Sequence, residues 1–96
     1  MITSFGDAAT ADLYHGRESH HVRRIPPTVK RAALRKLDLL NAAYGLEDLR
    51  EPPGNRLEAL KGDWLGFHSI RVNDQWRIVF RWENRDASEV SLIDYH

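Results

Sequence analysis

Asp94, Tyr95 and His96 place a carboxylate, a phenol and an imidazole side by side, directly after a run that reads as a strand. Histidine is the side chain best suited to exchange protons near neutral pH, and titratable clusters recur at reactive sites. An ordinary polar run is the alternative. A second group is cationic. Arg77 and Arg81 project from one face of a strand, and Arg71 joins them from the neighbouring strand if the apolar residues of the two strands align. The planar guanidinium fork matches phosphate geometry. Three such groups on an open sheet face repel one another unless an anion sits among them. The alternative is pairing with Glu83, Glu89 or Asp94 across the sheet. A third group, Glu58, Lys61 and Asp63, follows the rigid Pro52-Pro53-Gly54 turn. Leu57 and Leu60 read as buried, so Glu58 and Lys61 either flank a cleft or are plain surface charges.

Other titratable residues point elsewhere. His68 lies on the apolar side of its strand and reads as a half-buried structural histidine. His20 and His21 are adjacent and are expected to point apart. The chain has no cysteine, which excludes disulfides and thiolate metal sites, and no His-x-x-x-His spacing. Neither a metal nor another cofactor is expected.

These groups need a scaffold. Ile2 to Phe5 reads as a first strand, and Asp7 to His15 as a short helix stopped by Gly16. Residues 17–27 form a basic connector ending in Pro26-Pro27. A second helix starts near Thr28, where proline is tolerated just before. Val29, Ala33, Leu37, Leu40 and Tyr44 recur at helical spacing, with Gly45 as the end cap. Leu46 to Arg50 adds a further turn. Trp76, Ile78, Phe80 and Trp82 alternate with Arg77, Val79 and Arg81, the period of a strand. His68, Ile70 and Val72 alternate with Ser69, Arg71 and Asn73. A three-residue turn over Asn73-Asp74-Gln75 pairs Val72 with Trp76 and aligns the apolar sets. Glu83 to Ser88 turns the chain, and Val90 to Tyr95 is the last strand. The order β-α-α-β-β-β describes an α+β, two-layer domain, with a largely antiparallel sheet and two helices on one face.

Ninety-six residues make one domain, residues 1–96, large enough to bury a core. No signal peptide or membrane-spanning run is visible, so a cytoplasmic protein without membrane attachment is expected. Net charge is zero but uneven. Residues 17–36 hold seven basic side chains against one acid, and residues 37–63 hold three basic and six acidic ones. That asymmetry suggests a basic patch for a polyanion, with a solvated helix face as the alternative. A free nucleic-acid binder relying on residues 17–36 would usually carry more positive charge overall.

Three stretches act together: Gly-Asn-Arg-Leu-Glu-Ala-Leu-Lys-Gly-Asp at 54–63, Ser-Ile-Arg-Val-Asn-Asp-Gln-Trp-Arg-Ile at 69–78, and the closing Asp-Tyr-His. With Arg35-Lys36-Leu37 in the second helix and the Pro-Pro-Gly turn, they resemble the HigB-type toxins, the plasmid-maintenance killer proteins of the RelE superfamily. The likeness spans essentially the whole chain.

The resemblance implies a RelE-like fold and a toxin of a type II toxin–antitoxin module. It would cleave messenger RNA in the ribosomal A site and need no metal. The ribose 2′-oxygen attacks the adjacent phosphate, leaving a cyclic phosphate and a 5′-hydroxyl. The implied partners are the ribosome and mRNA, a HigA-type helix-turn-helix antitoxin, and operator DNA through the antitoxin complex. His96 and Tyr95 would transfer protons or position a nucleotide. Asp94 would orient His96 or act as a base. Arg77 would stabilise the phosphorane, with help from Lys61. Some relatives carry histidine where this chain has Glu58, which would serve as a base if burial raises its pKa. Arg71, Arg81, Arg23, Arg24, Lys30, Arg31 and Arg35 would contact RNA or the ribosome. A different class of function is a catalytically weak module of the same fold that binds the antitoxin and tunes operon repression.

Overall fold

The structure, a computed structural model, describes residues 1–94. Three helices, α1 (Ala8–Tyr14), α2 (His20–Arg23) and α3 (Pro27–Ala42), precede an antiparallel sheet ordered β1 (Glu58–Ala59), β2 (Phe67–Arg71), β3 (Trp76–Glu83), β4 (Asp86–Asp94). The N-terminal segment makes parallel bridges to β4, Ile2 with Ala87 and Phe5 with Val90, rather than the continuous strand expected.

Each helix start has a local cause. Asp7 caps α1 by accepting from the Thr10 amide at 2.7 Å, and Ser19 caps α2 from the Val22 amide at 3.3 Å. α2 interrupts the connector expected at 17–27. It also brings the His20 and His21 rings to 3.9 Å, so these side chains do not point apart. α3 begins on Pro27, whose missing N–H is no loss there. Val29, Ala33, Leu37 and Leu40 form its buried stripe, as the spacing predicts. Tyr44 falls outside that stripe, because Ala43 leaves the helix in an extended conformation and the Tyr44 ring is exposed against Arg85. Gly45 is therefore not a left-handed cap. Tyr44 and Gly45 donate to the Asp48 carboxylate, which opens the 3₁₀ turn Leu46–Arg50.

The stripe packs on Ile70, Ile78, Phe80, Val90 and Leu92, which line one face of the sheet. The buried Thr10 hydroxyl accepts from the Leu92 amide at 2.9 Å and ties α1 to β4. The hairpin between β2 and β3 has the expected register: Arg71 faces Arg77, and Val72 donates to the Trp76 carbonyl at 2.9 Å. The next hairpin is tighter than expected. Asn84 and Arg85 both take positive φ, the signature of a two-residue turn, so β4 already begins at Asp86. The edge strand β1 has no periodicity that its two residues could have displayed in sequence.

Candidate active site on the open sheet face

Alternation along β2 and β3 divides the sheet. His68, Ile70, Ile78 and Phe80 face the helices, while Phe67, Ser69, Arg71, Arg77, Val79 and Arg81 share the opposite, helix-free face. Arg77 sits at the centre of that face and is only 8% exposed. Its Nε donates to the Ser69 hydroxyl at 2.9 Å, and an Nη donates to the Arg56 carbonyl at 2.7 Å. Arg56 itself is left-handed, with φ 46°, which turns its carbonyl inward. Glu58 lies opposite Ser69 in the register, and its carboxylate stands 3.7 Å from Arg77. Among the described residues, the Ser69 hydroxyl and the Arg56 carbonyl thus help to orient the guanidinium, and the Glu58 carboxylate faces it. Neither Ser69 nor Arg56 was picked out from sequence. Ser69 shares Arg71's alternation and was legible in principle; a backbone carbonyl was not.

The other guanidiniums each have a local acid. Arg71 pairs with Asp74, and Arg81 pairs with Glu89 at 2.8 Å. Pairing across the sheet, the alternative reading, is therefore seen for Arg81 with Glu89 of the expected set, whereas Arg71 pairs three residues on with Asp74 in the hairpin turn. The position of Glu89 depends on a bulge. Val79 pairs with Ser91 but Arg81 with Ser88, and Glu89 takes φ 50°, which swings its carboxylate toward Arg81.

Glu58 departs from one expectation. Its side chain is 54% exposed, so it lacks the burial invoked to make it a base. Lys61 is exposed at the end of the β1 edge. Asp94 pairs with Trp76, which places it by register on the helix-side face rather than with Arg77, and it accepts from Gln75 Nε2 at 2.9 Å. Tyr95 and His96 lie outside the described residues. Arg71 and Arg81 share the face of Arg77, whereas Arg23, Arg24, Lys30, Arg31 and Arg35 belong to the helical layer on the other side of the sheet. Arg17, Lys30 and Arg31 rim a groove of about 200 Å³ floored by Leu13, Val22 and Leu34.

Lys36 ties α3 to the 3₁₀ turn Pro53–Asn55 that precedes β1. It donates to Asn55, whose amide in turn holds the Leu49 and Glu51 carbonyls. Burial, and then repulsion from Arg35 and Arg71, push the Lys36 ammonium below its usual range. His68 stacks on Phe80 from the core side, and burial lowers its pKa below 6.5. Among the described residues, no cluster of three or more His, Asp or Glu side chains is placed to hold a metal. Among those same residues, no helix is long and apolar enough to cross a membrane.

Residues 3–96 match the family described as RelE-like toxins of the type II toxin–antitoxin system HigB. Toxin HigB-1 of Vibrio cholerae is 44% identical over 82 residues, covering 85% of this chain and 84% of that protein. Endoribonuclease HigB of Proteus vulgaris is 46% identical over 41 residues, covering 43% of this chain and 45% of that one. The fold is similar to a chain of the YoeB–YefM complex from Staphylococcus aureus, with a TM-score of 0.62 at 14% identity, covering 100% of this chain and 98% of that one.

Proposed function

This chain belongs to the HigB-like toxins of type II toxin–antitoxin systems, and from that premise we propose that it is a metal-independent, ribosome-dependent endoribonuclease cleaving mRNA in the A site. The observation that carries the reading is Arg77: a guanidinium held by Ser69 and Arg56 on a helix-free face, with a carboxylate 3.7 Å away. A charge held in place before the reaction stabilises a developing phosphorane without reorganisation at the moment of transfer.

In this mechanism the scissile phosphate docks on Arg77. Glu58 takes the proton from the ribose 2′-hydroxyl, and the freed 2′-oxygen attacks phosphorus. The bond to the 5′-oxygen breaks, and that oxygen takes a proton from His96 or Tyr95. The products are a 2′,3′-cyclic phosphate and a 5′-hydroxyl. The exposure of Glu58 suits a base that must swing from Arg77 to the substrate. Lys61 adds positive charge at the rim. Asp94, on the other face, acts by positioning the end of β4 rather than as a base. Arg71 and Arg81 guide the RNA backbone across the face, and the basic residues of the helical layer contact the ribosome.

Residues 1–96 act as one toxin domain in the cytoplasm. The partner is a HigA-type helix-turn-helix antitoxin, and the complex represses its own operator DNA. The Glu58–Arg77 ion pair favours a second reading, in which the guanidinium is already neutralised and the chain is a weak nuclease kept mainly to bind its antitoxin. Inducing the chain in cells and mapping RNA 5′ ends tests the two. New 5′-hydroxyl ends at in-frame codons, lost in Arg77→Ala, support the nuclease; their absence at full expression supports the binding module.

A further inference from the structure

One feature of the open face lies outside the chemistry at Arg77. Trp64, 37% exposed, closes the turn Gly62–Trp64 that leads into β2, and Leu65, 73% exposed, follows it. Single apolar side chains in water are ordinary; what sets Trp64 apart is the way its neighbours hold it. Trp64 is not loose: its ring meets Phe67 nearly at right angles, with centroids 5.0 Å apart. That geometry anchors the indole by its neighbour while leaving it open to solvent. Phe67 faces Arg81 across the β2–β3 ladder, and the Arg81 Cζ lies 4.3 Å over the Phe67 ring. Glu89 fixes the Arg81 Nε from the bulge. Gly66 leaves room for this stack. It takes φ 95°, and a Cβ there would come within 2.9 Å of the Arg81 guanidinium.

We propose that Trp64, supported by Phe67 and Arg81, is a stacking platform for one unpaired nucleobase of the RNA whose phosphate sits at Arg77. This rests on the nuclease reading above. Arg81 lies four residues along β3 from Arg77, on the same face, about 13 Å away at strand spacing. A single strand running along β3 reaches from one to the other within a few nucleotides. Its phosphates meet Arg77 and Arg81, and one of its bases presents a π face that stacks on the exposed indole of Trp64. The alternation of cation and aromatic is what favours RNA over an apolar protein segment, which would have no use for guanidiniums spaced along the strand.

The test uses the full chain and ribosomes programmed with an mRNA that carries 2′-O-methyl groups at the A-site codon, so that it cannot be cut. Affinity is measured for wild type, Trp64→Ala, Trp64→Leu and Trp64→Phe, with thermal melting as a control for folding. Stacking predicts that Ala and Leu each lose about tenfold or more, whereas Phe stays close to wild type. An abasic nucleotide next to the A-site codon should remove the difference between Trp and Ala. Equal affinity across the series overturns the proposal. So does retention by Leu, or failure of the wild type to bind. Cleavage of the unmodified message is scored separately. A wild type that binds with this Trp64 dependence but does not cut counts against the nuclease and leaves the platform standing.

Discussion

Replacing Arg77 by alanine separates the two tasks of that side chain, which are to brace the sheet face and to hold a phosphate. Its Nε serves the Ser69 hydroxyl, which is fully buried, so truncation removes that hydroxyl's donor. Leaving a buried polar group without its partner costs about 1–3 kcal/mol. The Arg56 carbonyl belongs to an exposed residue and can turn to water. The Glu58 pair is 3.7 Å long, with a carboxylate 54% exposed, and contributes less than about 1 kcal/mol. A total near 2 kcal/mol in a chain of this size lowers Tm by roughly 8–16 °C. The effect on rate is larger. Removing one preorganised donor aimed at transition-state charge costs about 10²–10³ in the cleavage step. Single-turnover cleavage of ribosome-bound mRNA, measured well below the variant's Tm, reads the second effect without the first. Arg77→Lys restores charge but not the two-armed hold, and should recover only part of the rate. A variant that melts lower yet cleaves at the wild-type rate would refute the mechanism and leave Arg77 a structural residue only.

Glu58→Gln removes the base but little stability, since the pair is largely solvated; cleavage should fall by about 10²–10⁴ while urea midpoints stay put. Deleting Tyr95 and His96 should abolish growth arrest at equal expression while the far-ultraviolet spectrum is kept; continued arrest would remove them from the mechanism. His68 makes stability depend on pH. Burial holds its imidazole below 6.5, so the unfolded chain takes up the proton first as pH falls. Its contribution is therefore intact above about pH 6.5, declines below it, and levels off once the folded form is protonated too. His68→Phe, which keeps a ring on Phe80, should flatten the change in urea midpoint between pH 7.5 and 5.5; an unchanged slope would assign the acid sensitivity elsewhere.

Local pattern was enough for much of this protein. The period-two alternation of Trp76 to Trp82 and the spacing of Val29, Ala33, Leu37 and Leu40 reflect a sheet and a helix that must each bury one side, and both appear as read. The Asn73-Asp74-Gln75 register followed from the same requirement. The motifs at 54–63 and 69–78 and the closing Asp94-Tyr95-His96, taken together with Arg35-Lys36-Leu37 and the Pro-Pro-Gly turn, pointed to the family, and with it to the toxin class. What sequence could not supply was decided by contacts between distant segments. Arg77 is oriented by a hydroxyl on the neighbouring strand and by a carbonyl twenty-one residues away, turned inward by one left-handed residue. Glu58 reaches the same face only because a two-residue edge strand, too short to show a period, pairs with β2. The bulge that aims Glu89 at Arg81, and the exposure of Trp64 beside that pair, depend on twist and packing across three strands. Periodicity reports which side of an element is buried; which polar groups meet on the other side is settled only when the strands come together.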